Sequence, residues 1–306
     1  MRVAAIDIGT NTVLLLVAEK RDGKLVAVEE HATITRLGQG VDKTRTLAPE
    51  AVERTNACLD RYAEITQRLG VQKTDVVGTS AMRDAGGGEA VRAHVKARFG
   101  VEARTISGDA EARLTFGGAL SGLSLPAGRV VVFDIGGGST EVVDGDRTTR
   151  AISFAQSYDV GSVRLTERHV VRDPPSEEER AAVARTASEA FASVPASVRG
   201  LPVVGIAGTV TTLAAVALGM STYDGSRVHG HVMSVSELER VVDLLARVPL
   251  EERKTLAGLE PKRADVIVAG GLVALAFLKH VGASSVIVSD RGVRWGLAEE
   301  LANASL

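Results

Sequence analysis

The sequence predicts an α/β protein built from two halves of one design, and three observations carry that prediction. The first is residues 130–143, VVVFDIGGGSTEVV, an apolar run that stops at Asp134, turns through three glycines and returns through two hydroxyls and a carboxylate. It reads as a buried strand, a tight loop and a returning strand. The second is residues 6–12, IDIGTNT, which repeat that design at the start of the chain. The third is register: the interval from Asp7 to Asp134 is also the interval from Gly78 to Gly205, and each of these glycines closes a Val-Val-Gly run. Ile106-Ser107-Gly108-Asp109 and Val288-Ser289-Asp290-Arg291 form a further pair at a wider interval. The second half therefore carries an insertion, placed at about 221–276.

In chain order, residues 3–6, 13–18 and 25–35 read as an antiparallel meander around Asp7, followed by a loop, Arg36-Leu37-Gly38-Gln39-Gly40. Arg36 there either reaches an anion or is a solvated loop residue. Pro49 opens a helix to about residue 69, with Val52, Thr55, Leu59 and Tyr62 on its core face. Residues 76–81 form a strand, and Arg83 leaves its C-terminal end, where open α/β sheets hold ligands. A helix at 89–99 and a strand at 103–106 follow, then a turn into a helix that carries Glu111 in its first turn. The helix dipole favours a glutamate there in any case. A carboxylate ionised at neutral pH can also take a proton from an attacking water.

In the second half, residues 151–158 form a strand with Gly161 to Glu167 as its exit. Ser176 and Glu179 are spaced as a capping box for a helix to about 198. A strand at 203–206 runs into Gly208 and Thr209, a glycine and hydroxyl at a helix start. The insertion holds His229 and His231, which without a third ligand nearby read as loop residues, and a helix capped by Ser236 and Glu239. An apolar helix at 266–278, a strand at 286–289 and a closing helix at 292–301 with Trp295 in the core complete the chain.

The glycine loops carry the chemistry. Gly136, Gly137 and Gly138 lack Cβ atoms, so amides there can converge on an anion at positive φ. Ser139 and Thr140 add hydroxyl donors, and Asp134 and Glu141 offer the hard oxygens that Mg2+ takes between protein and phosphate. Asp7, Gly9, Thr10, Asn11 and Thr12 repeat the arrangement. A ligand-free glycine hairpin is the alternative.

Composition sets bounds. A chain of 306 residues that is 45% hydrophobic suits two domains of ordinary size, set at 1–122 and 123–306, with the closing helix from 292 free to pack on the first. The net charge of −2 provides no field to draw in nucleic acid. The single cysteine, Cys58, excludes an intrachain disulfide and suits a reducing cytoplasm, and the N-terminus does not read as a signal peptide. The uncharged stretch 200–223 is broken by glycines and Pro202, so it reads as buried and not membrane-spanning.

Two domains of like design with phosphate loops describe the fold shared by actin, the heat-shock 70 ATPases and the sugar kinases: duplicated ribonuclease H-like domains flanking a central cleft. The motifs DIGTNT, RLGQG, TSAMRDA, ISGDAEARL, FDIGGGSTE, VGSVRLTE, DPP, GIAGTVTTLAAV, VHG, LEPKRADVIVAGG and VSDRGVRWGL, in this order, resemble the exopolyphosphatase / guanosine pentaphosphate phosphohydrolase family in its short two-domain form. The resemblance implies Mg2+-dependent hydrolysis, with Mn2+ as the alternative ion, of the terminal phosphate of inorganic polyphosphate or guanosine pentaphosphate, and a link to the stringent response. It assigns Glu111 as the water-activating base and Asp7, Asp134 and Glu141 to the metal. It gives Gly9, Thr10, Asn11, Thr12, Arg83, Gly136, Gly137, Gly138, Ser139 and Thr140 to phosphate, and it admits a homodimer; Gly208 and Thr209 join them as a third phosphate-facing loop on the residues alone. Many members carry a second glutamate where this chain has Ala110, and larger members continue into helical C-terminal domains. A kinase of the same fold would need an acceptor site that the first half has no insertion to build, and a nonenzymatic nucleotide or polyphosphate sensor would not need Glu111. Short polyphosphates are the expected preference.

Overall fold

The apolar run that opens the chain becomes the middle strand of a five-stranded sheet. In the computed structural model, which describes residues 1–304, the chain divides into two units, Met1–Gly118 with the chain from Val293 onward, and Ala119–Gly292. In the first unit, β1 (Arg2–Ile8) pairs antiparallel with β2 (Thr12–Arg21), and β2 with β3 (Lys24–Ile34). Asp22 and Gly23 both take positive φ between β2 and β3, the backbone twist that two-residue hairpins favour. Then come α1 (Val41–Thr44), α2 (Pro49–Arg68), β4 (Lys73–Gly78), α3 (Ser80–Asp84), α4 (Glu89–Phe99), β5 (Ala103–Thr105) and α5 (Gly108–Ala119). β4 lies parallel to β1, giving the order β3-β2-β1-β4-β5. Helix α2 starts at its proline and buries Thr55, Leu59 and Tyr62, as its spacing predicts. Cys58 is buried beside them, and burial pushes its thiol pKa up, which makes it a packing residue.

The second unit contains β6 (Arg129–Ile135), β7 (Thr140–Asp146), β8 (Ile152–Tyr158), α6 (Ser162–His169), α7 (Glu177–Phe191), β9 (Val203–Ile206) and α8 (Ala207–Ala217). It continues with α9 (Gly225–Val228), β10 (Val232–Ser234), α10 (Val235–Arg247), α11 (Leu250–Arg253), α12 (Ile267–Val281) and β11 (Ser285–Val288). Its sheet runs β10-β11-β9-β6-β7-β8. Read from the β8 side, this is the first unit's order with β10 added at one edge. β10, α10 and α11 fall within the stretch that the wider interval marks as inserted. The core gathers around α12, whose Phe277 stacks against Phe133 and Phe191.

The closing helix α13 (Val293–Asn303) packs on the first unit's sheet, where Val293, Trp295, Leu297 and Ala298 share a cluster with Val3, Ala5, Leu16 and Val77. A Cβ at Gly296 would come within 2.1 Å of the Leu114 carbonyl oxygen, so α13 and α5 touch backbone to backbone.

Four elements differ from the sequence reading. The strand read over 76–81 ends at Gly78, where the Met82 side chain folds across the glycine and α3 begins. The exit after β8 is a helix, α6, and α7 stops at Phe191 well short of 198. Helix α10 is capped by Ser234, whose hydroxyl accepts from the Glu237 amide, because β10 holds Ser234 in register with Ser285. Ser236 lies inside the helix. Among the described residues no helix is long and apolar enough to cross a membrane, and residues 200–223 hold β9 and α8.

Candidate active site

The loop between β6 and β7 is shaped from behind. The Gly136 amide donates to the Ser139 carbonyl at 3.0 Å, closing a four-residue turn. The amide of Ser162 donates to Gly136 O at 3.0 Å, those of Val163 and Arg164 to Gly137 O at 2.9 and 3.0 Å, and Arg164 Nε to Gly138 O at 2.5 Å. All of these donors come from the start of α6. In a trans peptide the N–H points away from the C=O of the same unit. The amides of Gly137, Gly138 and Ser139 therefore leave on the side opposite α6, an arrangement able to receive an anion.

Positive φ is not what the cradle requires at Gly136, whose backbone lies outside the left-handed region. Close approach matters more, and it is sharpest at Gly161, which the sequence reading placed in the strand exit and not in the site. Its φ of −137° suits any residue, but a Cβ there would lie 2.5 Å from Gly137 O and 2.6 Å from Ser139 N. Neither backbone atom can yield without moving the loop. Gly161→Ala is expected to cost about 1–3 kcal/mol of stability, the usual scale of overpacking, read as a lower urea midpoint; an unchanged midpoint would mean that the strain is relieved elsewhere. The Thr140 hydroxyl is spent on Val160 O at 2.5 Å, so it pins the loop to the end of β8. Ser139 is buried beside it.

The first unit repeats the device with different residues. Gly9 N donates to Thr12 O at 3.1 Å, and a Cβ on Gly9 would meet that oxygen at 2.9 Å. The carbonyl of Asn11 takes the amides of Thr35 and Arg36, and that of Thr10 takes the Gly38 amide at 2.8 Å. The RLGQG segment thus backs the first loop through its main chain, and the amides of Asn11 and Thr12 face the other way. The Nδ2 of buried Asn11 has no acceptor among the described residues. Asp7 is buried at the end of β1, opposite Leu14.

Asp134 and Glu141 are direct cross-strand partners in the β6–β7 ladder, and Glu141 is in turn paired with Ser157 on β8, whose hydroxyl donates to Glu141 Oε1 at 2.6 Å. Both carboxylates are buried. Like charges directly opposite on one sheet face repel, and a divalent cation relieves that repulsion. Among the described residues no three His, Cys, Asp or Glu side chains gather into a closed metal cage. Such a pair suits Mg2+, which binds through one or two carboxylates and completes its shell with water and phosphate oxygens.

Glu111 sits in the first turn of α5, its amide bonded to Ser107 O at 2.9 Å while the Ser107 hydroxyl caps Ala110. Only 6% exposed, it accepts from Arg83 Nη1 through Oε2 at 3.2 Å. The same Nη1 donates to Ile106 O, and Arg83 Nε lies 3.5 Å from Asp84 Oδ1. The residue read as a phosphate clamp therefore also fixes the carboxylate that is the candidate base.

At the third loop, Ala207 takes a φ of 64° as β9 passes into α8. Thr209 donates its hydroxyl to Ile135 O at 3.1 Å, tying this turn to the end of β6. The Arg263 guanidinium lies over Gly208, 2.1 to 2.3 Å from where a Cβ would stand. Burial pushes the Arg263 pKa down from its ordinary value.

The sequence model of the Ppx/GppA phosphatase family matches residues 16–304. Exopolyphosphatase 2 of Mycobacterium tuberculosis is 38% identical over 98% of this chain and 98% of its own length. Among solved structures, an exopolyphosphatase-like protein is similar with a TM-score of 0.93 at 33% identity, covering 100% of both chains. The Aquifex aeolicus member of the Ppx/GppA family is similar with a TM-score of 0.82 at 34% identity, covering 100% of this chain and 99% of that one. The two α/β units thus have the actin-like fold.

Proposed function

Since the chain belongs to the Ppx/GppA phosphatase family and is by that membership a phosphatase, we propose that it is an exopolyphosphatase, releasing the terminal phosphate of inorganic polyphosphate. The observation that carries this reading is the β6–β7 turn, where three outward amides and a buried carboxylate pair serve one short loop. Phosphoryl transfer asks chiefly for positioning and charge neutralisation. In the second unit the amides of Gly137, Gly138 and Ser139 grip phosphate oxygens, and in the first unit the amides of Asn11 and Thr12 offer donors of the same kind. Asp134 and Glu141 would hold a divalent cation, Mg2+ or Mn2+, which supplies charge neutralisation for the phosphate oxygens when bound, and in the first unit Asp7 offers a hard oxygen of the same kind at the end of β1. Glu111, oriented by Arg83, takes the proton of the attacking water. Phosphate release from polyphosphate, guanosine pentaphosphate and ATP, side by side with Mg2+ and with chelator, tests the reading. Faster release from guanosine pentaphosphate makes that the substrate instead, and undiminished release in chelator removes the cation.

Short polyphosphates are the favoured substrates in this proposal. A long chain carries about one charge per phosphate and is held between cleavages by a strong basic field, whereas the net charge here is −2. Polymer digested over time should give a smoothly shortening ladder on a gel. Full-length polymer persisting beside free phosphate, with no intermediates, would show processive digestion and refute this preference.

A further inference from the structure

The proposed reading gives no part to one buried cation of the second unit. Arg164 is 7% exposed, and it lies on the first turn of α6. Its Nε donates to Gly138 O at 2.5 Å, and its Nη2 stands 3.6 Å from Oδ1 of the exposed Asp159. Burying a guanidinium is costly, and here that cost is met at the back of the phosphate loop.

The three carbonyls behind the cradle are not held alike. Those of Gly136 and Gly137 are taken by backbone amides of α6, which persist whatever side chains the helix carries. That of Gly138 is taken by a side chain. The Gly138–Ser139 peptide is thus the one of the three whose orientation a substitution can release. If it rotates, its N–H turns off the anion and its carbonyl, a partial negative charge, turns toward it.

We propose that Arg164 is a positioning residue for the phosphate loop, locking the Gly138–Ser139 peptide with its N–H toward the bound phosphate through the hydrogen bond from Nε. This rests on the reading of the loop as a phosphate site, and it goes beyond it by naming what sets the cradle's third donor.

Two substitutions separate this role from a role for the charge. In Arg164→Gln the amide nitrogen stands the same number of bonds from Cα as Nε, so the donor is kept and the charge removed. In Arg164→Met the donor is removed and a side chain reaching as far as Nε is kept. With tripolyphosphate and Mg2+, the Met variant is expected to raise KM about tenfold or more, the scale of a hydrogen bond from a charged group, with kcat changed less than KM. The Gln variant is expected to restore most of that loss. Equal losses in both variants would assign the effect to charge and overturn the proposal, as would a wild-type KM in the Met variant. Should the Met variant fail to fold, residue-resolved hydrogen exchange on the wild-type protein decides: the Ser139 amide should slow on adding tripolyphosphate along with that of Gly137. Slowing at Gly137 without slowing at Ser139 overturns it. Wild-type hydrolysis of tripolyphosphate is measured first, since its absence removes the functional reading itself, whereas hydrolysis with an indifferent Arg164 removes only the positioning role.

Discussion

Glu111→Gln should lower polyphosphate turnover by roughly 10²-fold or more, the usual scale for loss of a general base, while leaving the affinity for the phosphate chain close to that of the wild type. The reason lies in what the substitution keeps. A glutamine carbonyl can still accept from Arg83 Nη1, as Oε2 does now at 3.2 Å, so the side chain stays where the Ser107 turn and the start of α5 put it. What it loses is the ability to take a proton. Single-turnover phosphate release and calorimetric titration with polyphosphate separate the two quantities. Turnover near the wild-type rate would transfer the base to another group, and a wild-type protein that binds without turnover would point to a sensor. Arg83→Ala is expected to follow in the same direction, since it removes the Nη1 donor that orients Oε2.

The second large effect is expected at the carboxylate pair, and its sign differs between two measurements. Asp134→Asn should abolish divalent-dependent hydrolysis, because an amide is a poor ligand beside Glu141 for a hard cation. Yet the same change removes a like charge facing Glu141 across the ladder. Directly opposed like charges are destabilising, so the metal-free variant should melt at or above the wild-type temperature. Ligand binding to the folded state raises the melting temperature; Mg2+ should therefore raise it for the wild type and not for the variant. A variant that keeps the Mg2+-dependent rise would place the cation elsewhere.

The duplicated sheets were legible because each half spends the same residue types at the same interval: an apolar run, an aspartate, a glycine turn, then a Val-Val-Gly run that becomes the neighbouring parallel strand. The places of Asp7 and Asp134 near the ends of β1 and β6 were legible for the same reason. What lay behind the loops was not. Gly161 and Arg164 stand in one motif, VGSVRLTE, read as a strand exit although the helix it opens, α6, is amphipathic, and the contact with Gly137 exists only once β8 has delivered the chain to the loop. Where the hydroxyls of Thr140 and Thr209 point was illegible for a related reason. A hydroxyl beside a glycine turn can face a ligand or a neighbouring carbonyl, and here Val160 O and Ile135 O take them. The cap of α10 was ambiguous in the sequence itself, since Ser234 and Ser236 each precede a glutamate by three residues. Strand pairing with Ser285 settled it.

The packing of α13 on β1 and β2 has a consequence for how the chain is made. Val3, Ala5, Leu16 and Ala18 share their hydrophobic cluster with Val293, Trp295, Leu297 and Ala298, so one face of the first sheet waits for residues synthesised almost a full chain later. During vectorial synthesis the second unit can complete its own core around α12, while that face stays wet or is shielded by a chaperone until α13 leaves the ribosome. Contacts of such long sequence separation form late and leave apolar strands exposed to other chains in the meantime. The first unit to be translated is thus the last to be finished.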